Sequence, residues 1–236
     1  MELTHGSYHI QGVTFEELAA TYGTPLYIYD GAKIIQQLNN LKNAFSENDV
    51  KIKYAAKALT NISILRLLKK HGSGVDVVSI QEAHIARKAG FDPDEIMYTP
   101  NCVDFSEIEQ GVELGLMINL DNLSVLEKFG KKYGSSKACC LRLNPHILAG
   151  GNYKISTGHG NSKFGISVYQ LPHIMQLVEQ YNIQVEGLHI HTGSEITETE
   201  VFLKMAEILF GVARDFPHLR FIDFGSGYKV AYKEGD

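Results

Sequence analysis

Short apolar runs and longer helical patterns alternate along most of the 236-residue chain. The runs PLYIYD (25–30), IKYAAKA (52–58), VDVVS (75–79), EIMYT (95–99), LMINL (116–120), ACCLRLN (138–144), QVEGLHIH (184–191) and LRFIDFG (219–225) predict strands. Between them ISILRLLKKHG, IQEAHIARKAG, FSEIEQGVELG, LSVLEKFGKKYG, VYQLPHIMQLVEQYN and ETEVFLKMAEILFGVARDF carry apolar residues at helical spacing, and several end in a glycine of the kind that caps helices. This alternation predicts an α/β protein with a parallel sheet and right-handed crossovers. A unit every ~20–25 residues favours a (β/α)8 TIM-like barrel over a doubly wound sheet. No linker, low-complexity tract or second domain is visible, so residues 1–236 are expected to form one barrel domain.

One position in this pattern is unusual. Alternation in IKYAAKA puts Ile52, Tyr54, Ala56 and Ala58 on one face, and Lys53, Ala55 and Lys57 on the other. Lys53 stands near the start of the run, where a long side chain reaches water. Lys57 stands near the far end, flanked by alanines. A lysine there either lays its methylenes on apolar surface and keeps its ammonium wet, or serves as a reactive amine for a carbonyl compound. The far end matters because barrel active sites gather at the C-terminal ends of strands. Asp76, Arg142 and Asn144, His189 and His191, and the Gly225-Ser226-Gly227 turn all fall in or after strand candidates. Such convergence on one mouth favours the reactive amine.

Composition narrows the classes. Net charge is −5 with no basic run or stripe, which argues against nucleic acid. No stretch is long enough to span a bilayer, and the polar start MELTHGSYHIQG lacks the layout of a secretory signal. Three cysteines, two of them adjacent (Cys139 and Cys140), read with Cys102 as reduced, mostly buried thiols rather than a disulfide frame or zinc site. A cytoplasmic protein is the expectation.

Each remaining candidate has a plain structural reading beside a functional one. Gly225-Ser226-Gly227 is a tight strand-to-helix turn or a backbone anion site. His189 and His191 alternate on a strand and share a face; a metal pair is the weaker reading because no further ligands stand at a strand end. Ser194 caps a helix or binds phosphate. Asp76 is a structural acceptor or the partner of a cation, and Arg142 pairs with any carboxylate. The stretch NPHILAGGNYKISTGHGNSKFGISV is too long for an idle loop in a compact domain, which points to function.

Taken in order, YAAKA around Lys57, GSGVDVVSIQE around Asp76, LRLNP (141–145), KISTGHGNSKFGI (154–166), GLHIHTGS (187–194) and DFGSGY (223–228) resemble the alanine-racemase-like (fold type III) pyridoxal-phosphate enzymes. ISTG followed by KFGI resembles the diaminopimelate decarboxylases more than the ornithine, arginine or carboxynorspermidine decarboxylases. The resemblance runs from PLYIYD to the end of the chain. It implies that Lys57 holds pyridoxal 5'-phosphate as a Schiff base and that His191 stacks on the pyridine ring. It further implies that Ser194 and the Gly225, Ser226, Gly227 loop bind the phosphate, with Asp76 and Arg142 near the cofactor. Ser156 and Thr157 would lie in a loop near the substrate, and no metal is implied. The implied reaction is decarboxylation of meso-diaminopimelate to L-lysine, in a homodimer acting on an amino-acid substrate.

The chain departs from the family pattern in having Leu59 where Asn is usual, and Ser226 in a phosphate loop that is usually GGG. It also ends at Asp236, before the family's later E-P-G glutamate, which pairs with the pyridine nitrogen, and before the Cys-Glu segment of a C-terminal β domain. The resemblance makes PLYIYD a preliminary strand, so seven of eight barrel strands are expected, in an incomplete barrel that lacks the C-terminal β domain. The expectation is a nearly inactive fragment with exposed edges. Rival readings are another decarboxylase or racemase of the group, a non-enzymatic binding homologue, and a metal-dependent barrel hydrolase.

Overall fold

The computed structural model describes residues 2–147, 157–158 and 162–232. It opens on a small antiparallel sheet of β1 (Glu2–Thr4), β2 (Ser7–Ile10) and β3 (Val13–Thr14). The pairs Thr4↔Ser7 and Ile10↔Val13 leave two-residue turns, His5-Gly6 and Gln11-Gly12. All four turn residues have positive φ, the geometry that matches strand twist in tight hairpins. The sequence reading saw only a polar terminus here, because strands of two to four residues are too short to display a period. Helix α1 (Phe15–Tyr22) follows on a Thr14–Glu17 capping box, and α2 (Gly31–Ala44) on an Asp30 cap.

Seven parallel strands then form the sheet that positions the site: β4 (Lys53–Ala55), β5 (Gly74–Val77), β6 (Ile96–Tyr98), β7 (Met117–Leu120), β8 (Ala138–Asn144), β10 (Gln184–Ile190) and β11 (Phe221–Asp223). Their spatial order is their sequence order. The short β9 (Ile166–Ser167) lies off this path and pairs with the end of β8. The helices between strands are α3 (Ile62–Lys70), α4 (Ile80–Ala89), α5 (Phe105–Glu113), α6 (Leu123–Tyr133), α7 (Leu171–Tyr181) and α8 (Thr199–Ala213). All six were predicted. Side-chain caps at Asn61, Ser79 and Asn122 fix three of the strand-to-helix turns. The result is a curled parallel sheet with helices on one side, the expected α/β barrel with seven of its strands. Among the described residues, β4 and β11 each pair on one side only.

Alternation sorts the faces. Val75 and Val77, Ile118 and Leu120, Leu141 and Leu143, and Leu188 and Ile190 are buried against the helices. Asp76, Asn119, Arg142 and His189 interleave with them and so face the other way, into the curl. A register shift between Val185 and Gly187 lets Val185 join the helix-side core while Gly187 and His189 still face inward. Gly187 is there for space, because a Cβ would fall on the Phe221 ring of the next strand.

Two strand expectations are corrected. PLYIYD is not a strand: residues 25–30 have no ladder partner among the described residues and leave Leu26, Tyr27 and Tyr29 exposed. IKYAAKA is a strand only over Lys53–Ala55, and Ala56–Ala58 form a single 3-10 turn. Lys57 therefore stands on a turn beyond the strand rather than on its face. The cysteines divide: Cys139 and Cys140 are buried, whereas Cys102 is exposed. Burial pushes the Cys139 thiol up to about 12, which makes it inert.

Candidate active site

The 3-10 turn ends β4 at the C-terminal rim of the sheet and leaves the Lys57 side chain exposed there. Lys53, on the strand itself, is the lysine that snorkels. Its Nζ donates to the carbonyls of Glu95 (2.8 Å) and Asp94 (3.4 Å), and burial lowers its pKa. The two lysines of the opening pattern thus separate: one is tied down at the bottom of the sheet, the other is presented at its mouth.

Asp76 on the neighbouring β5 accepts a 2.6 Å hydrogen bond from the Thr99 hydroxyl. Burial pushes its carboxyl up to about 7. The Thr99 bond opposes that shift, the Asp223 charge adds to it, and Lys57 and Arg142 pull it back. Near neutral pH this carboxyl is therefore divided between its two protonation states. Arg142 is buried on β8, with its guanidinium 4.7 Å from the centre of the Phe164 ring. Desolvation lowers its pKa, and the charges of Asp121, Asp76 and Asp223 oppose that.

His189 and His191 share the inner face, as alternation predicted, but their surroundings differ. His189 is buried, and its Nδ1 lies 2.7 Å from Asn119 Nδ2. Burial pushes it down to about 4. His191 follows the last residue of β10; burial, with His189, Arg142 and Lys57 nearby, pushes it down to about 3 against a backbone hydrogen bond with Ser226. Both rings are neutral at physiological pH, so His191 is a flat uncharged surface. Gly225 permits its position: with φ +61°, a Cβ there would lie 2.5 Å from Ile190 O and 3.1 Å from His191 Nδ1.

The glycine turn after β11 is stitched to the loop after β10. Ile196 N–H donates to Gly227 O (2.9 Å) and Lys229 N–H to Ile196 O (3.1 Å). Ser226 and Ser194 are exposed, one on each of these loops. The Gly225 N–H is spent on Asp223 Oδ1 at 2.7 Å. Thr157 joins the same rim, its hydroxyl donating to His191 O (2.6 Å) and its N–H to Thr192 O (2.9 Å). Ser156 lies outside the described residues.

The structure thus gathers Lys57, Asp76, Arg142, His191 and the two rim loops at one end of the sheet. Sequence reading did not single out Thr99, Asn119 and Asp223. For two of these a signal existed: Asn119 and Asp223 are lone polar residues inside the apolar runs LMINL and FIDF.

A curled parallel β/α sheet thus carries an accessible amine at its mouth, neutral imidazoles beside it and a glycine turn on its rim. Residues 31–236 match the pyridoxal binding domain of the pyridoxal-dependent decarboxylases, and the chain belongs to that family. It is 35% identical over 234 residues to the diaminopimelate decarboxylase of Methanothermobacter thermautotrophicus, covering 96% of this chain and 55% of that protein. Against the Helicobacter pylori enzyme it is 36% identical over 228 residues, covering 93% and 56%. The crystal structure of diaminopimelate decarboxylase from Helicobacter pylori complexed with L-lysine superposes with a TM-score of 0.83 at 34% identity, over 94% of this chain and 59% of that one. The M. jannaschii enzyme, also with L-lysine, gives 0.85 at 29% identity over 100% and 58%. The chain spans just over half the length of the curated relatives it matches.

Proposed function

We propose that this chain is the cofactor-binding part of a diaminopimelate decarboxylase, which releases CO2 from meso-diaminopimelate to give L-lysine. The observation that carries the reading is the exposed Lys57 amine at a mouth it shares with Asp76, Arg142 and His191. The names of the relatives supply the substrate.

The residues present fit pyridoxal 5'-phosphate. Lys57 offers the nucleophilic amine. His191, held neutral over Gly225, offers a ring face for stacking. Ser194 and the N–H groups of Ser226 and Gly227 offer donors for a phosphate; Gly225 does not, because Asp223 takes its N–H. When bound, the cofactor supplies an electron sink for the carbanion left by loss of CO2. The chain's own work is to hold groups and protons. Asp76 holds or yields a proton at its carboxyl near neutral pH, beside the Lys57 amine. Arg142 places a fixed cation at the mouth, on the Phe164 ring, where carboxylates arrive. Thr157, with its hydroxyl spent on the His191 carbonyl, anchors its loop to the strand end. Within this reading the protein works as a homodimer, which rests on the family resemblance alone, in the cytoplasm, for which its reduced cysteines argue.

The test is product analysis of the protein carrying this chain, supplied with pyridoxal phosphate and meso-diaminopimelate. L-lysine and CO2 are expected, and both are lost in Lys57→Ala. Turnover of ornithine or arginine in place of diaminopimelate would overturn the substrate assignment. Turnover that survives Lys57→Ala would overturn the site.

A further inference from the structure

Four side chains cross the inner face of the sheet in one hydrogen-bonded chain. Thr99 Oγ1 donates to Asp76 Oδ1 (2.6 Å), Asn119 Nδ2 lies 3.4 Å from Thr99 Oγ1, and the same Nδ2 lies 2.7 Å from His189 Nδ1. Asn119 on β7 thereby reaches past β8 to a residue of β10. It is fully buried, and its Oδ1 has no partner among the described residues.

Proton counting fixes the direction of this chain. Thr99 Oγ1 donates its proton to Asp76 Oδ1, so toward Asn119 it is an acceptor. The two protons of Asn119 Nδ2 then serve Thr99 Oγ1 and His189 Nδ1, and Nδ1 must carry a lone pair. Turning the amide over would satisfy Oδ1 but strand both N–H donors in the same buried pocket, two unmet groups instead of one. The groups facing His189 are Asp223 from β11, Arg142 from β8, Lys57 from the turn after β4, and His191 on its own strand end.

We propose that Asn119 is a positioning residue of the cofactor mouth: its amide holds His189 as the neutral tautomer protonated at Nε2 and ties it, through Thr99, to the Asp76 carboxyl group. His189 then presents an N–H donor on the side of its ring away from Asn119, and adds no cation beside Lys57 and Arg142. This inference rests on the proposed function for its purpose, but not for its geometry.

The experiment is long-range proton–nitrogen correlation NMR on the protein labelled with 15N-histidine, without and with pyridoxal phosphate. Nδ1 of His189 is expected to give the unprotonated resonance and Nε2 the protonated one, throughout about pH 5 to 8. In Asn119→Asp the new carboxylate accepts from Nδ1–H, and the two resonances exchange places. In Asn119→Leu, which removes the bond without adding an acceptor, a mixture of tautomers is expected. A wild-type spectrum with Nδ1 protonated, which needs no variant to fold, would overturn the proposal; so would a tautomer unmoved by either substitution. Borohydride-stable incorporation of the cofactor at Lys57, measured on the same samples, separates the two readings. Its absence refutes the functional assignment and leaves the tautomer result standing.

Discussion

Lys57 and Lys53, four residues apart, have opposite fates because of one turn. Lys53 stays on the strand, where its ammonium reaches two backbone carbonyls. Lys57 is lifted off by the 3-10 turn and left exposed. Alternation alone cannot show this, since it presumes a strand that continues. Asp76, His189 and His191 set the pH behaviour of the same mouth. The histidines, at about 4 and about 3 when folded, bind fewer protons than their unfolded counterparts at ~6.5, so they cost stability as pH falls below ~6.5. Asp76, at about 7 when folded, binds more protons than an unfolded aspartate at ~3.9, so its cost grows as pH rises from ~4 to ~7. Two groups oppose one over most of this window. The expected melting temperature of the wild type therefore rises from acid toward ~pH 6.5. Asp76→Asn removes the opposing contribution, so the variant should gain on the wild type steadily between ~pH 4 and ~pH 7. Calorimetry across that range checks both; a melting temperature of the variant that falls relative to the wild type as pH rises would contradict the raised Asp76 pKa.

At the scale of elements, the site depends on places where two strands nearly touch. Gly187 leaves room for Phe221, and Gly225 leaves room for His191. Gly187→Ala is expected to cost about 1–3 kcal/mol by overpacking, partly recovered when Phe221→Val is added. A denaturant titration of the single and double variants measures this; no recovery in the pair would place the strain elsewhere. Gly225→Ala is expected to cost about 1–3 kcal/mol through its positive φ, and to weaken cofactor binding by moving His191. Helices α3 to α8 were legible in the sequence because each runs at least nine residues with an apolar period. The seven barrel strands were legible because each lies in a short apolar run bounded by helical patterns. The first hairpins were not, since their pairing is set by His5-Gly6 and Gln11-Gly12 rather than by period. PLYIYD misled because apolar residues there gain no ladder partner among the described residues. Of the site, the residues on motifs were legible. Asn119 and Asp223 were not singled out, since a lone polar residue in an apolar run shows its partners only when the sheet curls. Thr99 had no such signal.

At the scale of the whole molecule, the sheet runs from β4 to β11 with one unpaired edge at each end among the described residues. On α8, Leu203 and Phe210 are 59% and 56% exposed, and after β11 Tyr228, Val230 and Tyr232 are exposed as well. Unpaired edges and apolar surface of this kind recruit other chains. The 236-residue chain by itself is expected to self-associate with rising concentration, as read by sedimentation velocity or light scattering. Leu203→Lys with Phe210→Glu should lower that tendency without altering the inner face. A monodisperse monomer at high concentration would show that this surface is closed in solution.

The central claim is that Lys57 is the amine that takes the cofactor. The measurement that tests it most directly is borohydride trapping after addition of pyridoxal phosphate, followed by peptide mapping. The account predicts one saturable adduct, on the peptide that contains Lys57, lost in Lys57→Ala. Label spread over surface lysines with none at Lys57, in the protein carrying this chain, would contradict it.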